Sequence, residues 1–141
     1  MKNITSGTEW RKMREQGEVV ELPSGNTARL RPVALSELIH LGRIPNQLFE
    51  FSYALMSGEF EATDSPEQRL EQLRQYSQLS EIICKAAFLE PKIVDEPEAD
   101  SEITFFDLDE NDASFVVAWA RSPQLTLENF REAEAEPVDS L

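Results

Sequence analysis

Apolar and polar positions alternate in one part of the chain, and this alternation predicts a β-hairpin. It runs over residues 18–22 and again over residues 27–31. Between the two runs lies Pro23-Ser-Gly-Asn26, which is turn chemistry in which Gly and Asn accept a positive φ at low cost. The apolar residues expected to face the core are Val20, Leu22, Ala28 and Leu30.

Apolar residues at helical spacing, followed by residues that end helices, predict helices over most of the remaining chain. The predicted helices cover residues 8–16, 34–41, 47–57, 66–89 and 107–119. The fourth has the clearest start, with Ser65 at the N-cap, Pro66 at the first helical position and Gln68 two residues later. Asp107, with Glu110 three residues on, is expected to open the last helix. The predicted fold class is therefore mainly α with one small β-hairpin (α+β), in a single compact domain over residues 1–122.

The apolar residues of the fourth helix recur at steps of three, from Leu70 to Ile82. Each step shifts the apolar stripe by about 60° around a helix of 3.6 residues per turn. Either the helix bends or breaks near Ser77–Ser80, or its two halves contact different neighbours. Because no heptad is sustained, the pattern favours a helix pair or a kink.

The helix over residues 47–57 has more apolar surface than a surface helix needs. Its two apolar stripes together cover about 200°, whereas one stripe a little over ~100° wide is typical. Either the helix is buried centrally, or one stripe binds a partner. The candidate partner-binding residues are Leu48, Phe49, Phe51, Tyr53, Leu55 and Met56.

Charge is distributed unevenly along the 141 residues. Asp and Glu number 27 and Lys and Arg 13, for a formal net charge of −14. Residues 1–49 hold seven basic and five acidic groups, so residues 50–141 carry a net −16. Acids gather in residues 90–102, 107–112 and 128–139. The first and last of these runs have few apolar anchors, which predicts an acidic linker and a disordered acidic tail over residues 123–141.

This charge also limits the classes of partner. A protein that binds nucleic acid by neutralising phosphates needs a basic surface, and so does one that docks on anionic lipid. The longest apolar run, Phe115–Ala120, is far shorter than the ~20 residues of a membrane span. No charged-then-apolar leader opens the chain. We therefore expect no nucleic-acid partner, no membrane partner and a cytoplasmic location.

Few residues are suited to catalysis or metal binding. His40 is the single histidine and lies near a predicted helix end, while Cys84 is the single cysteine and lies in an apolar helical context typical of a core thiol. A dyad of the two would require the fold to bring them together. The acidic run from Asp107 resembles the start of an EF-hand, but Asp112 and Ala118 occupy the positions that require Gly and Glu. We therefore expect no enzyme activity, no cofactor and no metal.

Five short motifs follow one another between residues 10 and 119. They are Trp10-Arg-Lys-Met-Arg-Glu-Gln-Gly17, Glu18-Val-Val-Glu-Leu-Pro-Ser-Gly-Asn26, Ala28-Arg-Leu-Arg-Pro32, Gly42-Arg-Ile-Pro-Asn46, and Asp107-Leu108 with Trp119. In this order they resemble the tail assembly chaperones of long-tailed (siphovirus-type) bacteriophages. The family has no catalytic residues, and the matching positions imply roles in the fold. The acidic tail is not covered by the resemblance.

The resemblance implies a non-enzymatic factor present in the host bacterial cytoplasm during infection and absent from the mature virion. Its partners would be the tape measure protein, which it keeps soluble, and the tail tube protein, which polymerises around that client. Self-association and a longer frameshift product are further partners that such a family suggests. The alternative is a structural head-tail connector or minor tail component retained in the virion. A third class is an acidic DNA mimic, which would require its acids on a rigid face.

Overall fold

The protein is described by a computed structural model that covers residues 3–57 and 65–121. Its helices are α1 (Gly7–Gln16), α2 (Leu35–His40), α3 (Phe49–Ser57), α4 (Pro66–Ala87) and α5 (Glu110–Arg121). Its strands are β1 (Glu18–Glu21), β2 (Thr27–Leu30), β3 (Phe88–Glu90), β4 (Lys92–Ile93) and β5 (Glu102–Ile103). Two 3₁₀ turns, Asn46–Leu48 and Phe105–Asp107, precede α3 and α5. The mainly helical α+β class is confirmed for the described residues.

The predicted hairpin is confirmed, and it forms part of a three-stranded antiparallel sheet ordered β1-β2-β3. Glu18 pairs with Leu30 and Glu21 with Thr27. The third strand, β3, was not predicted, because its residues continue the helical pattern of α4. It pairs with β2 through Phe88 opposite Leu30. Of the residues expected to face the core, Leu22, Ala28 and Leu30 are buried and Val20 packs against them.

Helix α1 ends at Gly17, the position where this fold requires glycine. Gly17 has φ 64°, and a Cβ there would lie 2.5 Å from the carbonyl oxygen of Leu30. A side chain would therefore meet both a left-handed backbone and a backbone atom of β2. Ser6 caps the other end of α1 by accepting a hydrogen bond from the N–H of Glu9.

The segment predicted as an acidic linker contains β structure instead. β4 and β5 pair in parallel, with Lys92 opposite Glu102 and Ile93 opposite Ile103. Ile93 is buried, and the Glu90–Pro91 peptide bond is cis. The linker prediction is therefore wrong for these pairs, because Ile93 is buried, Ile103 packs against the core and Lys85 of α4 binds Asp95. The predicted tail over residues 123–141 lies outside the described residues.

Helix α4 is one continuous helix, so the predicted helix pair is wrong. The other alternative describes it better, because its two halves have different surroundings. Leu70 and Leu73 are exposed, whereas Leu79 and Ile83 are buried against the rest of the core. The start of α4 is as predicted, with the Ser65 hydroxyl accepting from the N–H of Gln68.

The last helix begins differently from the prediction. Asp109, not Asp107, caps α5, and its Oδ1 accepts from the backbone N–H groups of Asn111 (2.8 Å) and Asp112 (3.2 Å). Asp107 forms a capping box with Thr104 around the preceding 3₁₀ turn. Asp107 and Asp109 are each followed by another acid three residues later. The sequence pattern therefore fits both residues and does not show which of them begins α5.

Asp112 connects α5 to the hairpin. Its side chain is buried, and its two oxygens accept from the Ser24 backbone N–H (2.9 Å) and the Ser24 hydroxyl (2.6 Å). Ser24 lies in the turn between β1 and β2, 88 residues earlier in the chain. The hydrogen bonds fix the tip of the hairpin against the first turn of α5.

Candidate partner-binding surfaces

The partner-binding residues predicted on α3 divide between the core and the surface. Leu48 and Phe51 are buried, so a partner-binding role does not fit them. Phe49 and Tyr53 are 47% and 53% exposed. The side chains of Leu55 and Met56 lie outside the described residues. The helix therefore combines both sequence alternatives: one stripe packs in the core, and the exposed residues Phe49 and Tyr53, which we name the α3 face, remain as candidates for binding.

A second apolar surface lies between the first half of α4 and the start of α5. It is a groove of about 640 Å³, within the ~300–1,000 Å³ range usual for ligand pockets. We name it the α4–α5 groove. Its apolar lining is formed by Leu73, Tyr76, Phe105, Phe106, Leu108 and Ala113.

The 3₁₀ turn before α5 gives the groove its most exposed residue. Phe106 is 83% exposed, while its neighbour Phe105 packs against the core. The two rings meet edge to face, with centroids 5.5 Å apart, a favourable aromatic arrangement. Phe105 thus attaches the turn to the core, and Phe106 leaves most of its aromatic ring exposed to solvent.

Ser80 lies at the junction of this groove with a smaller cavity of about 160 Å³. The residue is only 5% exposed, and its hydroxyl has no hydrogen-bond partner among the described residues. A buried polar group without a partner costs about 1–3 kcal/mol. Because Ser80 lines the groove, a water molecule or another hydrogen-bonding group that enters the groove can satisfy its hydroxyl.

The rim of the groove on the α5 side is acidic. Glu110 lines the groove, and the exposed residue Asp109 precedes it in sequence. On the α4 side, the residues that line the groove are uncharged (Leu73, Tyr76, Ser77 and Ser80). A partner with basic side chains beside an apolar stripe would match this surface.

The two residues considered for catalysis are in contrasting positions. Cys84 is fully buried, and this burial, followed by the negative charge of Glu81, raises the pKa of its thiol from 9.0 to about 12. The thiol is therefore protonated at neutral pH and is a poor nucleophile. His40 is exposed at the last position of α2. Within residues 3–57 and 65–121, no three His, Cys, Asp or Glu side chains are grouped as metal ligands.

Among the described residues, no helix has both the length and the apolar composition required to cross a membrane. The family described as "Family of unknown function (DUF7391)" matches residues 8–141. The chain belongs to this family. No curated protein and no solved structure matches the chain.

The family description assigns no activity, so the exposed apolar surfaces are the strongest functional features of this DUF7391 chain. The sequence pattern predicts the two residues of the α3 face as candidates for binding, but it does not predict the α4–α5 groove. The groove forms because the first half of α4 is not packed in the core and because the Phe105–Asp107 turn lies beside it in the folded chain. The apolar steps from Leu70 to Tyr76 were the available signal, and they were interpreted as a break in the helix.

Proposed function

We propose that the protein is a non-enzymatic assembly chaperone that binds apolar helical segments of a partner. The observation that carries the proposal is the α4–α5 groove, in which the apolar side chains of Leu73, Tyr76 and Phe106 are exposed in the folded chain. The resemblance to phage tail assembly chaperones supports the tape measure protein as the client and the tail tube protein as the second partner. The host bacterial cytoplasm is the location that follows from this role.

The groove has the features of a surface that accepts an amphipathic helix. Such a helix places residues at i, i+3, i+4 and i+7 into an apolar depression. Full burial of a Leu or Phe side chain contributes about 1.5–3 kcal/mol. Leu73 and Phe106 are both largely exposed, so a partner that buries them would gain most of that free energy on binding.

The net charge of −14 supports the same proposal. A folded protein that exposes apolar residues tends to aggregate, and a net charge far from zero opposes this by mutual repulsion. Strong acidity and exposed apolar residues are therefore compatible in a protein whose role is to keep another chain in solution.

Co-expression with the tape measure protein tests the proposal. We expect the client to be soluble with the wild-type chain and to precipitate when Leu73 and Phe106 are both changed to Ser. A second pair, Phe49→Ser with Tyr53→Ser, measures the contribution of the α3 face. The readout is the soluble fraction of the client, beside circular dichroism of each variant to verify its fold.

Val19→Thr is the matched control, because it removes an exposed apolar side chain from β1 and keeps a residue suited to a strand. It should leave client solubility unchanged. The proposal is wrong if the Leu73 and Phe106 variant folds and still solubilises the client. Mass spectrometry of purified virions provides a separate check, since stoichiometric amounts of the chain would favour a structural component.

A further inference from the structure

A small cavity lies between three helices, next to the α4–α5 groove. Its volume is about 160 Å³, and we name it the interhelical cavity. It shares Tyr76, Ser80 and Ser114 with the groove. Its other lining residues come from α2, α4 and α5 and are Leu35, Leu79, Ile83, Val117, Ala118 and Arg121. Spaces between packed helices are among the usual places for small-molecule sites in proteins.

The inner walls of the interhelical cavity are apolar and belong to the core. Leu35, Leu79, Ile83 and Val117 are each between 2% and 7% exposed. An apolar cavity of ~150 Å³ in a protein core is large enough to bind benzene from water. The interhelical cavity therefore has the size and the lining to hold one small ring or a short apolar chain.

Ser80 provides a hydrogen-bonding group in these apolar surroundings. The residue is buried, and its hydroxyl has no hydrogen-bond partner among the described residues. Buried polar side-chain atoms in native proteins nearly always have a partner. An oxygen atom at the inner end of a ligand can supply one, because a serine hydroxyl both donates and accepts hydrogen bonds.

Arg121 provides a positive charge at the outer end of the cavity. It is exposed at the last position of α5, and it is the charged residue among those that line the cavity. It forms no ion pair with any other residue in the described ranges. The planar N–H groups of a guanidinium match the two oxygens of a carboxylate. Since the chain as a whole carries −14 and repels anions, an anionic ligand would depend on this local cation.

We propose that the interhelical cavity binds a small apolar carboxylate, about the size of a single ring. The apolar body fills the space between the buried walls, and the carboxylate pairs with Arg121 at the mouth. An oxygen at the opposite end of the ligand bonds to the Ser80 hydroxyl. The inference goes beyond the chaperone proposal, because the ligand is a small molecule and its binding is measured on the purified full chain without any client.

Titration of the ¹⁵N-labelled full chain with benzoate, followed by NMR, tests the site. We expect saturable chemical-shift changes confined to residues around the cavity, with a Kd of about 1 mM because the ligand has few atoms. Benzamidine has the same shape and the opposite charge, and it should not bind. Arg121→Gln should weaken benzoate binding about tenfold, because it removes a charge-assisted hydrogen bond. Arg74→Gln is the matched control, since Arg74 is exposed on α4 and does not line the cavity, and it should bind benzoate as the wild type does.

Two further variants locate the ligand. Ala118→Leu should abolish benzoate binding, because the larger side chain fills part of the cavity. Leu73→Ser with Phe106→Ser alters the groove and leaves the cavity intact, so it should bind benzoate with unchanged affinity. If this groove variant loses benzoate while it remains folded by circular dichroism, the ligand lies in the groove and the inference is wrong.

The contact with Ser80 is tested with a second ligand, 4-hydroxybenzoate. Its hydroxyl lies opposite the carboxylate, so it should bind the wild type about fivefold more tightly than benzoate does. Ser80→Ala should remove this difference and leave the affinity for benzoate unchanged. Equal affinities in the wild type would contradict the placement of the ligand between Arg121 and Ser80. The absence of saturable binding, or binding that neither Arg121→Gln nor Ala118→Leu weakens, would overturn the inference. None of these results affects the client assay, so the two proposals can fail separately.

Discussion

The two halves of α4 have similar apolar spacing and opposite surroundings. Leu73 in the first half is 62% exposed, whereas Leu79, six residues later on the same helix, is 2% exposed. The second half packs against α5, and the first half borders the α4–α5 groove. Apolar periodicity therefore identifies a helix with apolar surface to bury, but it does not specify whether the core or a partner buries it.

The comparison also shows how the exposed half stays helical. Its N-terminus is capped by Ser65, and Pro66 occupies the first helical position, both of which favour helix initiation. The buried half supplies the tertiary packing that stabilises most protein helices. The exposed half is thus an extension of a helix anchored at its other end, which leaves its side chains available for binding.

The largest expected effect on stability comes from a substitution in the buried half of α4. Leu79→Ala should lower the free energy of unfolding by about 2–5 kcal/mol, because it removes buried methyl groups and leaves a cavity. Leu73→Ala, the same substitution in the exposed half, should change it by less than about 0.5 kcal/mol. Urea denaturation of the two variants measures both values. Equal losses would show that the two halves are equally buried in solution.

The second prediction extends the comparison to α5, which packs on the buried half. Asp112→Ala should destabilise the protein by about 1.5–3 kcal/mol, because it removes the two hydrogen bonds by which the buried carboxylate of Asp112 holds Ser24 of the hairpin turn. Glu110→Ala, two residues earlier and exposed, is the matched control and should have little effect. Urea denaturation gives the stabilities, and hydrogen exchange at the hairpin turn should accelerate only in the Asp112 variant.

Much of the fold follows from local sequence signals. The hairpin, the Ser65 cap and the helix ends near Gly17 and Gly42 depend on residues close together in the chain, so they were predictable. The role of Asp112 could not be predicted from the sequence. It depends on a contact with Ser24, 88 residues away, and the sequence around it predicts only an acidic helix start.

The candidate surfaces were predictable in part for the same reason. The apolar arc of the helix over residues 47–57 is wider than packing in the core requires, which predicted that one stripe lies outside the core. In agreement with this, Phe49 and Tyr53 are exposed. The pattern could not show that Leu48 and Phe51 form the core stripe, because stripe assignment depends on which side faces α4. The groove joins residues of α4 to the Phe105–Asp107 turn, and such a juxtaposition exists only in the folded chain.

The smallest predicted effect is a pH dependence that belongs to the buried half of α4. Burial raises the pKa of the Cys84 thiol from 9.0 to about 12, so between these pH values the unfolded thiol loses its proton while the folded thiol keeps it. Stability contributed by the neutral thiol is complete below pH 9 and falls as the pH rises, by about 1 kcal/mol at roughly pH 10.

Cys84→Ala isolates this contribution from the lysines and tyrosines that titrate in the same range. The variant should be less stable at about pH 8, because it loses a buried sulfur atom, yet its stability should fall less between about pH 8 and pH 10. Urea denaturation at both pH values gives the two slopes. If stability falls equally with pH in the wild type and the variant, solvent reaches Cys84 in the folded state. The second half of α4 would then not be buried, and it would no longer differ from the exposed first half.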